Sequence, residues 1–371
     1  MKGDRLHGAR PGTKNPVSWP LVLLAVWSVA FGLLIPFFPS GEGKAVDPEG
    51  ERAVSLMSRA IETLREHRRL NGPPIDETVD PNRTGLIGVE DSPITTSLGH
   101  LEAKRTATNP QFAGAVVRMF REAGARRGDP VAVGASGSFP GLILATLCAA
   151  DALGLRPLMI ASLGASNWGA NRPDWTWLEM ADCLRQKGVL DVIPTAVSIG
   201  GDKDVGLDMP EEGRALLELK ISASGRPFIR ESDLAKNAAA RMSLLEQAAG
   251  GAPIKAFVNV GGSYPDMGTD GEVLKLKPGY NPAADVFIPP PERRGLIQEM
   301  AGRGVPVIHL LFVKGLVDRY GLTWDPFPLP GPESAGADRG LAPGLRTAFL
   351  LIYLTGMALG IFWIARKRSR L

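Results

Sequence analysis

The stretch "VAVGASGSFPGL", residues 131–142, decides how this chain is read. Its first half is a continuous apolar run. Its second half is a knot of Gly and Ser, after which Pro140 opens helical text to residue 153. Residues 158–171, "LMIASLGASNWGAN", repeat the pattern. Unbroken apolar strands that end in Gly-rich turns and feed helices are the grammar of a parallel sheet covered on both faces.

Moving outward, "TAVSIGG" (195–201), "IKAFVNVGG" (254–262) and "VPVIHLLFV" (305–313) predict three more strands, each with helical text nearby. Upstream, Asp47 caps a helix with Pro48 in its first turn and Val54, Met57, Ile61 and Leu64 at helical spacing, ending at "RLNGPP". Residues 84–110 read as a short apolar strand followed by a long polar stretch. Asn109-Pro110 then opens an amphipathic helix with Phe112, Val116, Met119 and Phe120 on one side. Asp174 is the expected cap of the helix in "WTWLEMADCLRQKG", and 206–250 is a helical excursion suited to cover one rim of the sheet. The expected fold is α/β, a Rossmann-like parallel sheet occupying residues 47–325.

Two uncharged apolar stretches, 19–38 and 347–365, are long enough in sequence to cross a bilayer of roughly 30 Å. For the first, a cleaved signal peptide is the competing reading, but no small-x-small cleavage pattern follows. Lys2, Arg5, Arg10 and Lys14 precede it in the tail 1–18, and Arg366, Lys367, Arg368 and Arg370 fill the tail 366–371. Positive flanks stay in the cytoplasm, so the expectation is two transmembrane helices in the plasma membrane, both ends cytoplasmic and the 47–325 domain extracytoplasmic. A linker at 39–46 and a Pro/Gly-rich tether at 326–346 join the parts. The tails hold eight of the 42 basic residues and one of the 39 acidic ones, so the net +3 of the chain becomes −4 for the remainder. The basic balance therefore gives no ground for a nucleic-acid partner. Cys148 and Cys183 both lie in apolar helical text and read as buried packing residues, with a disulfide as the alternative in an oxidising compartment.

A parallel sheet delivers every strand's C-terminal end to one rim, where ligands bind. The exits there are "GASGSFPG", "GASNWGAN", "GGDKDVG" and "GGSYPDMG". The candidate ligand-binding residues they supply are Gly134, Ser136, Gly137, Ser138, Ser166, Asn167, Asp202, Asp204, Gly262 and Ser263. Ser97, His100, Lys104 and Arg105 of the polar stretch add donors of the kind that grip carboxylates. The helix opening at Pro140 aims its free N–H groups at the first turn, which favours an anion. No Gly-Lys-Ser/Thr follows, so the sequence calls for no nucleotide and no other cofactor. No His or Cys pair has zinc spacing, although Asp202, Asp204 and Asp266 offer oxygens to a hard cation or to neighbouring bases. A Ser136 or Ser138 nucleophile with Asp202 or Asp204 and His309 keeps the order Ser-Asp-His, but Ser138 replaces the last Gly of G-x-S-x-G and His309 lies in an apolar run.

Together, "SPITTSLGHLEAKRTATNPQFA", "VGASGSFPGL", "SLGASNWGAN" and "VNVGGSYP", with the flanking apolar stretches, resemble the poly-γ-glutamate system protein family over most of the chain. The resemblance implies an accessory membrane component of poly-γ-glutamate capsule or exopolymer production, partnered with the membrane subunits of the synthase. It supplies no catalytic residues. Two readings follow: a subunit whose outer domain binds the anionic chain or a partner subunit, or an exported Ser-dependent hydrolase or transferase acting on γ-glutamyl bonds.

Overall fold

The run that opens the sequence reading is strand β1 (Pro130–Ser136), buried along its whole length. It pairs in parallel with β2 (Arg156–Ser162) on one side and with β5 (Phe257–Val260) on the other. Beyond β2 come β3 (Ala196–Ser198) and β4 (Phe228–Ile229); beyond β5 come β7 (Val307–Leu310) and β6 (Gly279–Asn281). The order is β4-β3-β2-β1-β5-β7-β6, and β6 alone among these strands runs antiparallel. The computed structural model describes residues 19–34, 47–191, 193–331 and 343–368.

Side chains alternate across the pleat. Val131, Val133 and Ala135 of β1 face one core with Met57, Phe112, Phe120 and Ile143, whereas Ala132 faces the other with Ile160, Met242, Leu245 and Ile297. The first core is covered by helices α2 (Pro48–Asn71), α4 (Gln111–Glu122), α5 (Pro140–Leu153) and α6 (Trp177–Gln186), the second by α8 (Leu234–Ala249) and α10 (Leu296–Gly302). Asp47 caps α2 by accepting from the Gly50 N–H at 2.9 Å. The expected α/β class and mostly parallel sheet are therefore present.

Four expectations are corrected. The helices of the excursion 206–250 do not cap the rim: α7 (Glu211–Ala223) and α8 flank opposite faces, with β4 between them in sequence, and Asp208 alone of the segment lines the rim cleft. Residues 84–92 form no strand; Thr95 makes a single bridge to Ala165, and α3 (Leu101–Ala107) occupies the end of the polar stretch. The cap of α6 is Thr176, because Glu179 at the third helical position completes a capping box, while Asp174 pairs with Arg68 and Arg172. Cys148 and Cys183 are buried and free, so the disulfide alternative falls.

The chain divides into two units, residues 47–336 and the two ends, Met1–Val46 with Ala337–Leu371. In the second unit, α1 (Trp19–Leu34) packs on α12 (Pro343–Arg368). Gly356 and Gly360 let Trp27 and Leu24 approach, and Ser28 meets Tyr353 at 3.1 Å. Among the described residues no helix is long and apolar enough to cross a membrane. The described part of the first expected span, the 16 residues of α1, rises about 24 Å, under the roughly 30 Å of a hydrocarbon core. Residues 35–38 of the first expected span, the tail 1–18, the linker 39–46, residues 332–342 of the tether and the terminal 369–371 lie outside the described residues.

Candidate functional site

Strands β1, β2 and β3 end in register, so Ser136, Ser162 and Ser198 form a row at the rim. Above that row the loops enclose a cleft of about 720 Å³. It gathers Ser136 and Ser138 from the first exit, Ser166 from the second, Asp202 from the third, and Gly262 and Ser263 from the fourth. All four Gly-rich exits therefore reach one place. Ser97, His100 and Lys104 line it as well, because the polar stretch is stitched across the rim. The Thr96 N–H donates to Ala165 O, the Asn167 N–H to Ser97 O, and the Gly99 N–H to Asn167 Oδ1 at 3.0 Å. Asn167 thus binds the loop, not the cleft.

Lys104 is the one basic side chain that points inward from α3 and is buried there. Its Nζ donates to Ser138 O at 2.5 Å, contacts Ser166 Oγ at 2.6 Å and sits 3.8 Å from the Phe139 ring centroid. Burial alone lowers its pKa to about 7, and among the described residues no carboxylate pairs with it. Ser138 Oγ accepts from the Ser136 hydroxyl at 3.0 Å and from the Ser166 N–H at 3.0 Å. Gly99 is needed beside them, since a Cβ there would stand 3.1 Å from Lys104 Cε and 3.3 Å from Ser166 Oγ. The mouth also carries acids: Glu102, Asp202 and Asp208, the last raised by burial.

Several predicted residues lie elsewhere. Arg105 turns away into a two-pronged ion pair with Asp325, so it cannot serve the cleft. Gly134, within β1, is packed under the Asp266 carboxyl, and Gly137, in the turn, against the Leu163 carbonyl, so both answer to close packing. Asp204 sits beneath the floor, where its Oδ2 accepts from Arg241 at 2.7 Å and from Asn237 at 3.0 Å. Arg241 also reaches Ser162 and Ser198, and Asp266 lies 3.7 Å from its other nitrogen. That pairing separates Asp204 and Asp266 from exposed Asp202, and no group of three His, Cys, Asp or Glu suited to a metal occurs among the described residues. His309 is buried on β7 against Asn259 at 3.1 Å, outside the cleft lining, and burial lowers its pKa to about 4. The Ser-Asp-His arrangement is therefore not assembled.

Sequence reasoning missed Ser162, Ser198 and Arg241. The serines end β2 and β3 at the same pleat position as Ser136, which is a visible signal. Arg241 follows Asn237 by four residues in the mostly apolar "NAAARMSLL", and a lone base there is a weaker one. Compared with known proteins, the chain matches no family model, no curated protein and no solved structure.

Proposed function

We propose that this chain is a membrane-associated component of poly-γ-glutamate production whose 47–336 unit holds the end of a γ-glutamyl chain in the rim cleft. The observation that carries the reading is the convergence of four Gly-rich exits on one hydroxyl-rich cleft of about 720 Å³, within the range of small-ligand sites. The polymer itself is named from the sequence resemblance. A chain end bears both a free amine and α-carboxylates. The serine hydroxyls, the Lys104 amine and the N-terminus of α5 suit the carboxylates, and Glu102, Asp202 and Asp208 suit the amine. The −4 charge of the chain without its tails opposes a long polyanion, which favours a short terminal segment.

Membrane attachment is supported by the α1–α12 pair. Its outward residues Val26, Val29, Leu351, Leu354, Ile361 and Phe362 are apolar and exposed, and Gly356-x-x-x-Gly360 lies where small residues let membrane helices approach. The basic tails flanking both apolar stretches support a topology with both ends in the cytoplasm and the 47–336 unit outside, beside the membrane subunits of the synthase. Calorimetry on the full chain in detergent tests the binding: γ-glutamyl oligomers should bind, and Ser138→Ala should weaken them about tenfold. Unchanged affinity contradicts the reading. Protease added to intact cells should cut within 47–336 and leave the tails.

A further inference from the structure

The cleft holds a hydroxyl and a buried amine in direct contact, with no acid between them. We propose that Ser166 is a nucleophile, that Lys104 is its general base, and that the cleft carries out acyl transfer from a γ-glutamyl amide to water or to a second amine. This deepens, and rests on, the reading of the cleft as a γ-glutamyl site.

Geometry singles out this pair. Lys104 Nζ stands 2.6 Å from Ser166 Oγ but touches Ser138 only at its backbone carbonyl, so it can take a proton from Ser166 and not from Ser138. Ser138 Oγ already accepts from Ser136 and from the Ser166 N–H, which fixes the backbone of the nucleophile. The carbonyl of Ser138 and the Phe139 ring hold the amine in place, and Gly99 leaves it room. Ser166 and Lys104 both line the cleft, so a bound acyl group has access to Oγ. The same amine, with a pKa lowered to about 7 by burial, is substantially neutral at physiological pH and able to act as a base.

The step balances without a further reagent. The Ser166 hydroxyl gives its proton to Lys104 as Oγ bonds to the amide carbon. The tetrahedral adduct expels the amine, which takes that proton from the Lys104 ammonium as the C–N bond breaks. Water or a second amine then attacks the Ser166 ester, losing a proton to Lys104. The ammonium returns it to Oγ as the ester bond breaks.

A purely structural Lys104, anchoring two loops, would move stability and nothing else. The full chain in detergent is incubated with an alkyl fluorophosphonate and followed by intact mass and peptide mapping. One adduct is expected, on Ser166, with a rate that rises with pH to a midpoint near 7. Ser166→Ala should abolish it, Lys104→Met should slow it at least a hundredfold, and Ser243→Ala, on an exposed face of α8, should leave it unchanged. Melting followed by circular dichroism shows which variants fold. No adduct on Ser166 of the unaltered chain between pH 6 and 9, or full-rate labelling of a folded Lys104→Met variant, overturns the proposal. Oligomer binding without labelling overturns the dyad and keeps the binding reading; labelling that γ-glutamyl oligomers do not slow keeps the dyad and overturns the polymer assignment.

Discussion

Arg241 and Asp204 meet at 2.7 Å with both side chains fully buried under the floor of the cleft. Asp266 lies against the same guanidinium, and burial raises its pKa. The pair holds the Ser162 and Ser198 hydroxyls in position, which makes it the rigid base of the rim. Breaking a buried pair leaves an uncompensated charge.

Arg241→Met is therefore expected to cost about 3–5 kcal/mol of folding stability. Arg185→Met, which removes the exposed pair with Asp182, should cost no more than about 0.5 kcal/mol. Denaturant midpoints of the two variants measure the difference, and equal losses would contradict the role given to Arg241.

Lys104 carries a pH signature. In the fold its pKa is lowered to about 7 from an ordinary value of 10.5, so between those limits the unfolded chain binds more protons than the folded one. Stability from this group thus rises with pH across that window and is lost as pH falls through it, by up to about 1.4 kcal/mol per pH unit. Lys104→Met should remove that slope between pH 7.5 and 9.5. A variant with the same slope as the unaltered chain would show that Lys104 is solvated.

Gly99→Ala probes the cleft without removing a polar group. The added methyl would stand 2.5 Å from the Asn167 carbonyl oxygen and 3.1 Å from Lys104 Cε, so the 97–104 segment must shift. Affinity for γ-glutamyl oligomers should fall about tenfold or more, read by calorimetry, while far-ultraviolet circular dichroism stays unchanged. Retained affinity would remove the segment from the site.

The cap of α6 separates two neighbouring residues. Thr176→Ala should lower stability by about 1 kcal/mol, since it empties the capping box with Glu179. Asp174→Ala, whose partners Arg68 and Arg172 lie 3.5 and 3.3 Å away on a half-exposed side chain, should lower it by less than about 0.5 kcal/mol. Thermal melts of both give the order.

What the sequence disclosed, and what it hid, divides along the range of the interactions. The five longer apolar runs are legible because each is buried on both faces, and the convergence of their exits follows from parallel topology. The edge strands β4 and β6 span two and three residues and carry no apolar run of their own, so tertiary contact alone defines them. Lys104 and Arg105 are adjacent and chemically alike in sequence. Their opposite fates depend on Ser138 and Ser166 for one and on Asp325, 220 positions away, for the other. The Thr176 cap was readable, because T-x-x-E in "TWLE" marks a capping box that Asp174 lacks.

Photo-crosslinking tests the central claim most directly. A short γ-glutamyl oligomer with a diazirine at its amino end, irradiated with the full chain, should attach within residues 96–104, 136–139, 162–166 or 262–268. Displacement by unlabelled oligomer should suppress it. Attachment spread over other surfaces, or none at oligomer concentrations that saturate the synthase, would contradict a γ-glutamyl site at the rim.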